Sequence, residues 1–71
     1  MSASVYRVTE VIGVSSDSWE AAARNAVEAA ARTVRDLRVA EATRFDVTIQ
    51  DGKIADYRVR LDISFKYESG D

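Results

Sequence analysis

The side chains able to do chemistry in this 71-residue chain are carboxylates, guanidinium groups and a few aromatic rings. There is no histidine and no cysteine. Thiol nucleophiles, imidazole acid–base catalysis and Cys/His zinc sites are therefore excluded together. Arg44, Arg58 and Arg60 could line a site for a phosphate or carboxylate, or form a salt-bridged polar face with Asp46, Asp56 and Asp62. With Glu41, those aspartates are also hard oxygen donors. A cation such as calcium takes roughly six to eight oxygens, which a symmetric assembly could gather from several chains; no EF-hand spacing is present, and the alternative is solvated charge. Phe45, Tyr57, Phe65 and Tyr67 stand at strand spacing and are expected in a core or an interface. Trp19, the only tryptophan, falls in the first turn of a predicted helix, where packing is its ordinary use. Scattered carboxylates alone do not make a catalyst, and the chain is expected not to be an enzyme.

The bulk composition narrows the partners. Ten basic and twelve acidic residues are interspersed and leave a net charge of −2. No basic stripe is available to neutralise phosphates, so no nucleic-acid partner is expected. No apolar run approaches the roughly 18–20 residues of a membrane span, and the first residues lack the pattern of a signal peptide. A cytoplasmic location and no membrane partner follow as expectations. The whole chain, 1–71, reads as one domain, 46% hydrophobic and free of proline. At this size a chain buries only about 60% of its unfolded surface, and one core seldom supplies more than about 3–5 kcal/mol. Without cysteine there are no disulfides to help. The missing support must come from association or from a ligand.

The elements that position these residues are four. Val5–Ile12 alternates with apolar residues on both faces, Val5 and Val11 on one and Tyr6, Val8 and Ile12 on the other, which predicts a strand covered at least partly on both sides. Gly13-Val14-Ser15-Ser16 breaks that pattern. Asp17 is a suitable N-cap with Glu20 three residues on, and a helix is predicted from Ser18 to about Asp36. Its apolar face is Trp19, Ala22, Ala23, Ala26, Val27, Ala30, Val34 and Leu37; its polar side carries Arg24, Glu28 and Arg32. A face made mostly of alanine must lie close against its cover.

Val39–Gln50 and Ile54–Glu68 are predicted strands joined at Asp51-Gly52, a pair that readily takes positive φ. In the last strand Ala55, Tyr57, Val59, Leu61, Ile63, Phe65 and Tyr67 alternate with Asp56, Arg58, Arg60, Asp62, Ser64, Lys66 and Glu68, giving one core face and one polar face. Register stays open. A two-residue turn pairs Ala40 and Ala42 with Ile63 and Leu61; a three-residue bulged loop sets Val39, Thr43 and Phe45 beside Ile63, Val59 and Tyr57. Either way the strands are long for one helix to cover, and a contiguous uncovered patch usually marks an interface.

Taken in order, these segments resemble the dodecins. VYRVTEVIGVSSDSWEAAARNAVEAAARTVRDLR is similar to that family's opening strand and alanine-rich helix, and IQDGKIADYRVRLDISFK to its closing hairpin; the resemblance covers essentially the whole chain. It implies an α+β fold, β-α-β-β, with a three-stranded antiparallel sheet wrapped around one helix. It further implies a hollow homododecamer whose members bind flavins such as FMN or riboflavin between subunits. There a tryptophan just after the helix stacks on the ring and a glutamine on the last strand holds its polar edge. In this sequence Val39 stands at the tryptophan position, Ala40 at a neighbouring phenylalanine and Arg58 at the glutamine. The resemblance thus implies sequestration of flavin with weakened or altered affinity, with Phe45, Arg44 and Arg60 as further candidate contacts. Some dodecin-like proteins without that tryptophan bind calcium, which makes a structural or calcium-binding assembly using Glu41, Asp46, Asp56 and Asp62 the alternative.

Overall fold

In the computed structural model, which describes residues 5–66, the order is β1 (Tyr6–Ser15), α1 (Trp19–Ala31), β2 (Leu37–Gln50) and β3 (Lys53–Lys66). The expected β-α-β-β arrangement is present. The three strands form one antiparallel sheet in the order β1-β3-β2, so the C-terminal strand is central. Tyr67 and Glu68, which the alternation assigns to the end of the last strand, lie outside the described residues.

The helix differs from expectation at both ends. Ser18, not Asp17, is the N-cap: its backbone is extended and its hydroxyl accepts the Ala21 N–H at 3.0 Å. Asp17 instead donates its own N–H to the Ser15 hydroxyl. The helix stops at Ala31 rather than near Asp36. Its last turn tightens, with the N–H groups of Arg32 and Thr33 bonding to carbonyls three residues back. The Thr33 hydroxyl also bonds to Ala30 O, and such side-chain bonds compete with helix continuation. Asp36 then takes a left-handed turn, φ 58, a conformation aspartate tolerates better than most residues. Leu37, counted above with the helix face, therefore opens β2. Strand β1 likewise runs through Gly13 to Ser15 rather than ending at Ile12.

Gly13 is required by closeness. A Cβ there would stand 2.0 Å from Ala22 O and 2.9 Å from Ala26 Cβ. Glycine on β1 and alanine on α1 let the two backbones approach, and Asn25 ties them further by donating to Val14 O at 3.0 Å.

The hairpin register follows the two-residue expectation at the turn and at Ala40 and Ala42, departs from both expectations in its middle, and shows none of the pairs of the three-residue loop. Asp51 (φ 54) and Gly52 (φ 76) make the two-residue turn, with Gln50 opposite Lys53. Ala40 and Ala42 do pair with Ile63 and Leu61. Between these ends, however, Phe45 faces Val59 and Val47 faces Tyr57. One register shift between Thr48 and Ile49 is undone by another between Ala42 and Arg44. The reason lies in the sequence of β2, where Ala40 and Ala42 stand at even positions and Phe45 and Val47 at odd ones; a bulge at Thr43 keeps these four on one face. Hydroxyls serve the disturbed ladder: Thr48 accepts the Asp56 N–H at 3.1 Å, and Thr43 donates to Arg60 O at 3.3 Å.

Among the described residues the buried apolar core is Ala22, Ala26, Val59, Leu61 and Ile63, with Val11, Ala23, Val27, Ala30 and Leu37 packed around it. The helix lies over β1 and β3 and barely reaches β2. Thirteen helical residues span about 20 Å, whereas fourteen strand residues span about 46 Å. The radius of gyration, 14.9 Å, exceeds the roughly 11 Å of a compact chain of this length. Most of the sheet is left without cover from its own chain.

Candidate functional site

Cross-strand pairing assigns each candidate residue to a face. The helix-side face carries Val11 and Gly13 of β1, Tyr57 to Phe65 at alternate positions of β3, and Ala40, Ala42, Phe45 and Val47 of β2. The outer face carries Tyr6, Val8, Glu10, Ile12 and Val14 of β1, the polar set of β3, and Val39, Glu41, Arg44 and Asp46 of β2.

Trp19 works on the helix side. Its ring meets Phe45 and Tyr57 edge-on, with centroids 5.9 and 5.2 Å away, and its indole N–H donates to Asp46 O at 3.1 Å. It packs the helix start onto the hairpin, as expected of its position. An open groove of about 350 Å³ remains there, lined by Trp19, Glu20, Ala23, Ala42, Phe45 and Val59. Phe45 is still 55% exposed.

The outer face holds the remaining candidates. Val39 is 61% exposed and sits opposite Ser64, whose hydroxyl donates to Val39 O at 3.4 Å. Arg58 lies six residues before Ser64 on β3, so Val39 and Arg58 stand about 20 Å apart within one chain. The chain alone does not bring them together. Arg58 is also engaged: it forms a two-point ion pair with Asp46 directly opposite, Nε to Oδ1 at 2.8 Å and Nη2 to Oδ2 at 3.4 Å. A guanidinium held this way has its planar fork turned to a carboxylate rather than to a ligand.

Arg44 and Arg60 oppose each other, and Arg60 reaches Glu10 only at 3.9 Å. Of the proposed cation ligands, Glu41 and Asp62 are direct partners, Asp46 is bound to Arg58, and Asp56 is paired with Thr48 further along. Among the described residues no three carboxylates converge closely enough to hold a metal ion. Glu10, opposite Asp62, was not singled out from sequence. Only the strand order, with β3 between β1 and β2, brings it beside Asp62 and Glu41.

Exposed apolar side chains complete the outer face: Tyr6, Val8, Ile12, Val14 and Val39 are each between 45% and 63% exposed. No described helix is long and apolar enough to cross a membrane.

A short helix laid over half of a long three-stranded sheet, with apolar and charged stripes on its uncovered side, defines a small α+β, β-α-β-β protein whose sheet is largely bare. A family model described as Dodecin matches residues 5–68, and the chain belongs to the dodecin family. The calcium dodecin of Mycobacterium tuberculosis is 43% identical over 63 residues, 89% of either chain. The dodecin of Thermus thermophilus is 33% identical over 64 residues, 90% of this chain and 93% of that one. Among solved structures, dodecin from Streptomyces coelicolor superposes with a TM-score of 0.92 at 43% identity, covering 99% of this chain and 100% of that one. The crystal structure of the M. tuberculosis calcium dodecin, described as calcium chelating with a novel calcium-binding site, superposes with a TM-score of 0.81 over 94% and 96% of the two chains.

Proposed function

We propose that this chain is a non-enzymatic subunit of a hollow homododecamer that sequesters a small ligand where subunits meet, and that it does so without a tryptophan sandwich. The observation that carries the reading is Val39. It is exposed on the uncovered sheet face, at the position where the resemblance expects the stacking ring. Arg58, at the expected glutamine, is held by Asp46. A flavin placed there keeps an apolar ledge of Val8 and Val39 on either side of Ser64 but loses an aromatic partner. Stacking is worth about 1–3 kcal/mol per ring by analogy with nucleic-acid bases, so affinity falls roughly fivefold to 150-fold. Titration of FMN and riboflavin, followed by flavin fluorescence, tests this: weak, saturable quenching is expected. No quenching at tens of micromolar protein removes the flavin reading.

A second reading is favoured by the line of Glu10, Asp62 and Glu41 across the three strands and by the calcium-chelating relative. Carboxylate oxygens suit calcium, but one chain's set does not converge, so an ion there needs oxygens from a second chain. Calcium raising the melting temperature, and a chelator lowering it, supports this reading; a melt indifferent to both removes it.

A further inference from the structure

Asp51 and Gly52 form an open, reactive pair at the tip of the β2–β3 hairpin. Both are exposed. Both take positive φ, 54 and 76, and with Gln50 opposite Lys53 they make a two-residue loop of type I′. A Cβ placed on Gly52 would meet nothing within 4 Å, so that side of the turn is empty. Among the described residues, no turn or loop hydrogen bond uses the Gly52 N–H, and neither ion pair holds the Asp51 carboxylate. The Gly52 nitrogen and Asp51 Cγ, which together would close a five-membered ring, are both unprotected.

We propose that Asp51-Gly52 is a site of spontaneous covalent modification, at which the folded turn lets the Asp51 side chain close on the Gly52 nitrogen as a succinimide that reopens as isoaspartate. The Gly52 nitrogen gives its proton to water and bonds to Asp51 Cγ. A carboxyl C–O bond breaks, and its oxygen leaves as water. Water then adds to one of the two ring carbonyls. Addition at Cγ breaks the new bond and restores aspartate. Addition at the main-chain carbonyl breaks the original peptide bond, so the chain runs through Cγ and an α-carboxylate is left free. The water lost in the first step is regained in the second, and no oxidant or reductant takes part.

The turn geometry favours this closure. Types I′ and II′ both fit a two-residue hairpin loop and share a positive φ at the first residue. Rotating the peptide plane between Asp51 and Gly52 converts one into the other and takes ψ of Asp51 from roughly +30° to roughly −120°. At the second value Cβ comes nearly into plane with the Gly52 nitrogen, as the ring requires. Gly52 follows the rotation freely, since glycine takes either sign of φ. Aspartate visits the II′ form only briefly, because glycine is the residue usually found there, and ring closure captures it. The other described aspartates lack this combination. Asp46, Asp56 and Asp62 lie in the strand ladder and precede Val47, Tyr57 and Ile63, whose side chains crowd the nitrogen. Asp36 has positive φ but precedes Leu37, and Asp17 precedes Ser18, which is fixed as the helix N-cap. Isoaspartate lengthens the main chain by one carbon, so Gln50 and Lys53 no longer meet across two residues and the hairpin tip opens.

Ageing the chain for weeks at physiological temperature and neutral pH tests the proposal, with fresh and urea-unfolded protein alongside. Trypsin, cutting after Arg44 and Lys53, isolates Asp51 and Asp46 in one peptide, and electron-transfer fragmentation places the isoaspartate. In the folded chain isoaspartate should accumulate at Asp51 several-fold beyond any other aspartate. Cleavage before residue 51 by an aspartate-directed protease should be lost in the same proportion, and the aged chain should melt at a lower temperature. Asp51→Gly keeps a turn of positive φ through Gly-Gly and should age with neither change. Isoaspartate absent from Asp51, or no more abundant there than at Asp17, overturns the proposal. Accumulation in urea with none in the folded chain also overturns it, since the turn would then protect the pair. An equal fall in melting temperature on ageing of Asp51→Gly overturns the claim that opening the tip is what weakens the chain.

Discussion

Arg58 and Asp46 face each other across β3 and β2 and close a two-point ion pair, 2.8 Å at its shorter contact. The pair occupies the outer sheet face at the position where a family glutamine is expected to hold a flavin edge. With side chains 38% and 42% exposed, it contributes no more than about 1 kcal/mol after solvent screening. Arg58→Gln should accordingly move the melting temperature by less than about 8 °C. Combined with Val39→Trp, it should tighten flavin binding roughly fivefold to 150-fold. Fluorescence titration reads the result. Unchanged affinity in the double variant would show that these positions do not line the flavin site.

Gly13→Ala should be severe. The added methyl would stand 2.0 Å from Ala22 O, a backbone atom that cannot swing aside. Overpacking of this kind typically costs about 1–3 kcal/mol, occasionally more, and this core is thin. Urea denaturation should show a clearly lowered midpoint or no folded chain. A midpoint equal to the unaltered protein would mean that helix and β1 are not in contact at Gly13.

Thr48→Val tests the register shift. The hydroxyl accepts the Asp56 N–H at the point where pairing slips by one residue. Valine keeps the branched shape but removes the acceptor, and leaving a part-buried donor unmatched costs about 1–3 kcal/mol. Amide exchange at Asp56 should accelerate while the helix amides change little. An unaltered exchange rate there contradicts the bulge.

Ser18→Ala and Asp17→Ala separate the two possible caps. Loss of the Ser18 hydroxyl, which accepts the Ala21 N–H, should cost about 1 kcal/mol. Asp17→Ala should cost less, because Asp17 contributes its backbone N–H to Ser15 rather than its side chain to the helix. Thermal melts of the two variants rank them directly, and the reverse order would restore Asp17 as the cap.

Much of this architecture is legible in the chain. Strand β3 alternates so regularly that its core face, Val59, Leu61 and Ile63, is read off by parity and is buried. The Asp51-Gly52 turn carries its own conformational signal and takes it. The helix end was harder, because Val34 and Leu37 continue the apolar spacing while the local hydrogen bonds of Thr33 and the turn at Asp36 stop the helix. Register was undecidable from either turn model, since compensating shifts leave Val39–Ala42 in the frame of the turn and Arg44–Thr48 in another, and a third shift follows between Val39 and Leu37. The acidic line depends on strand order. Glu10 lies more than thirty residues from Glu41 in the chain, and only the central placement of β3 aligns both with Asp62.

The uncovered sheet is the central feature, and the mass of the native particle tests it most directly. Native mass spectrometry at low ionic strength should give a particle of about twelve times the 7.9 kDa of one chain. A folded species of 7.9 kDa at every concentration would contradict the account, because the exposed face would then have no subunit to cover it.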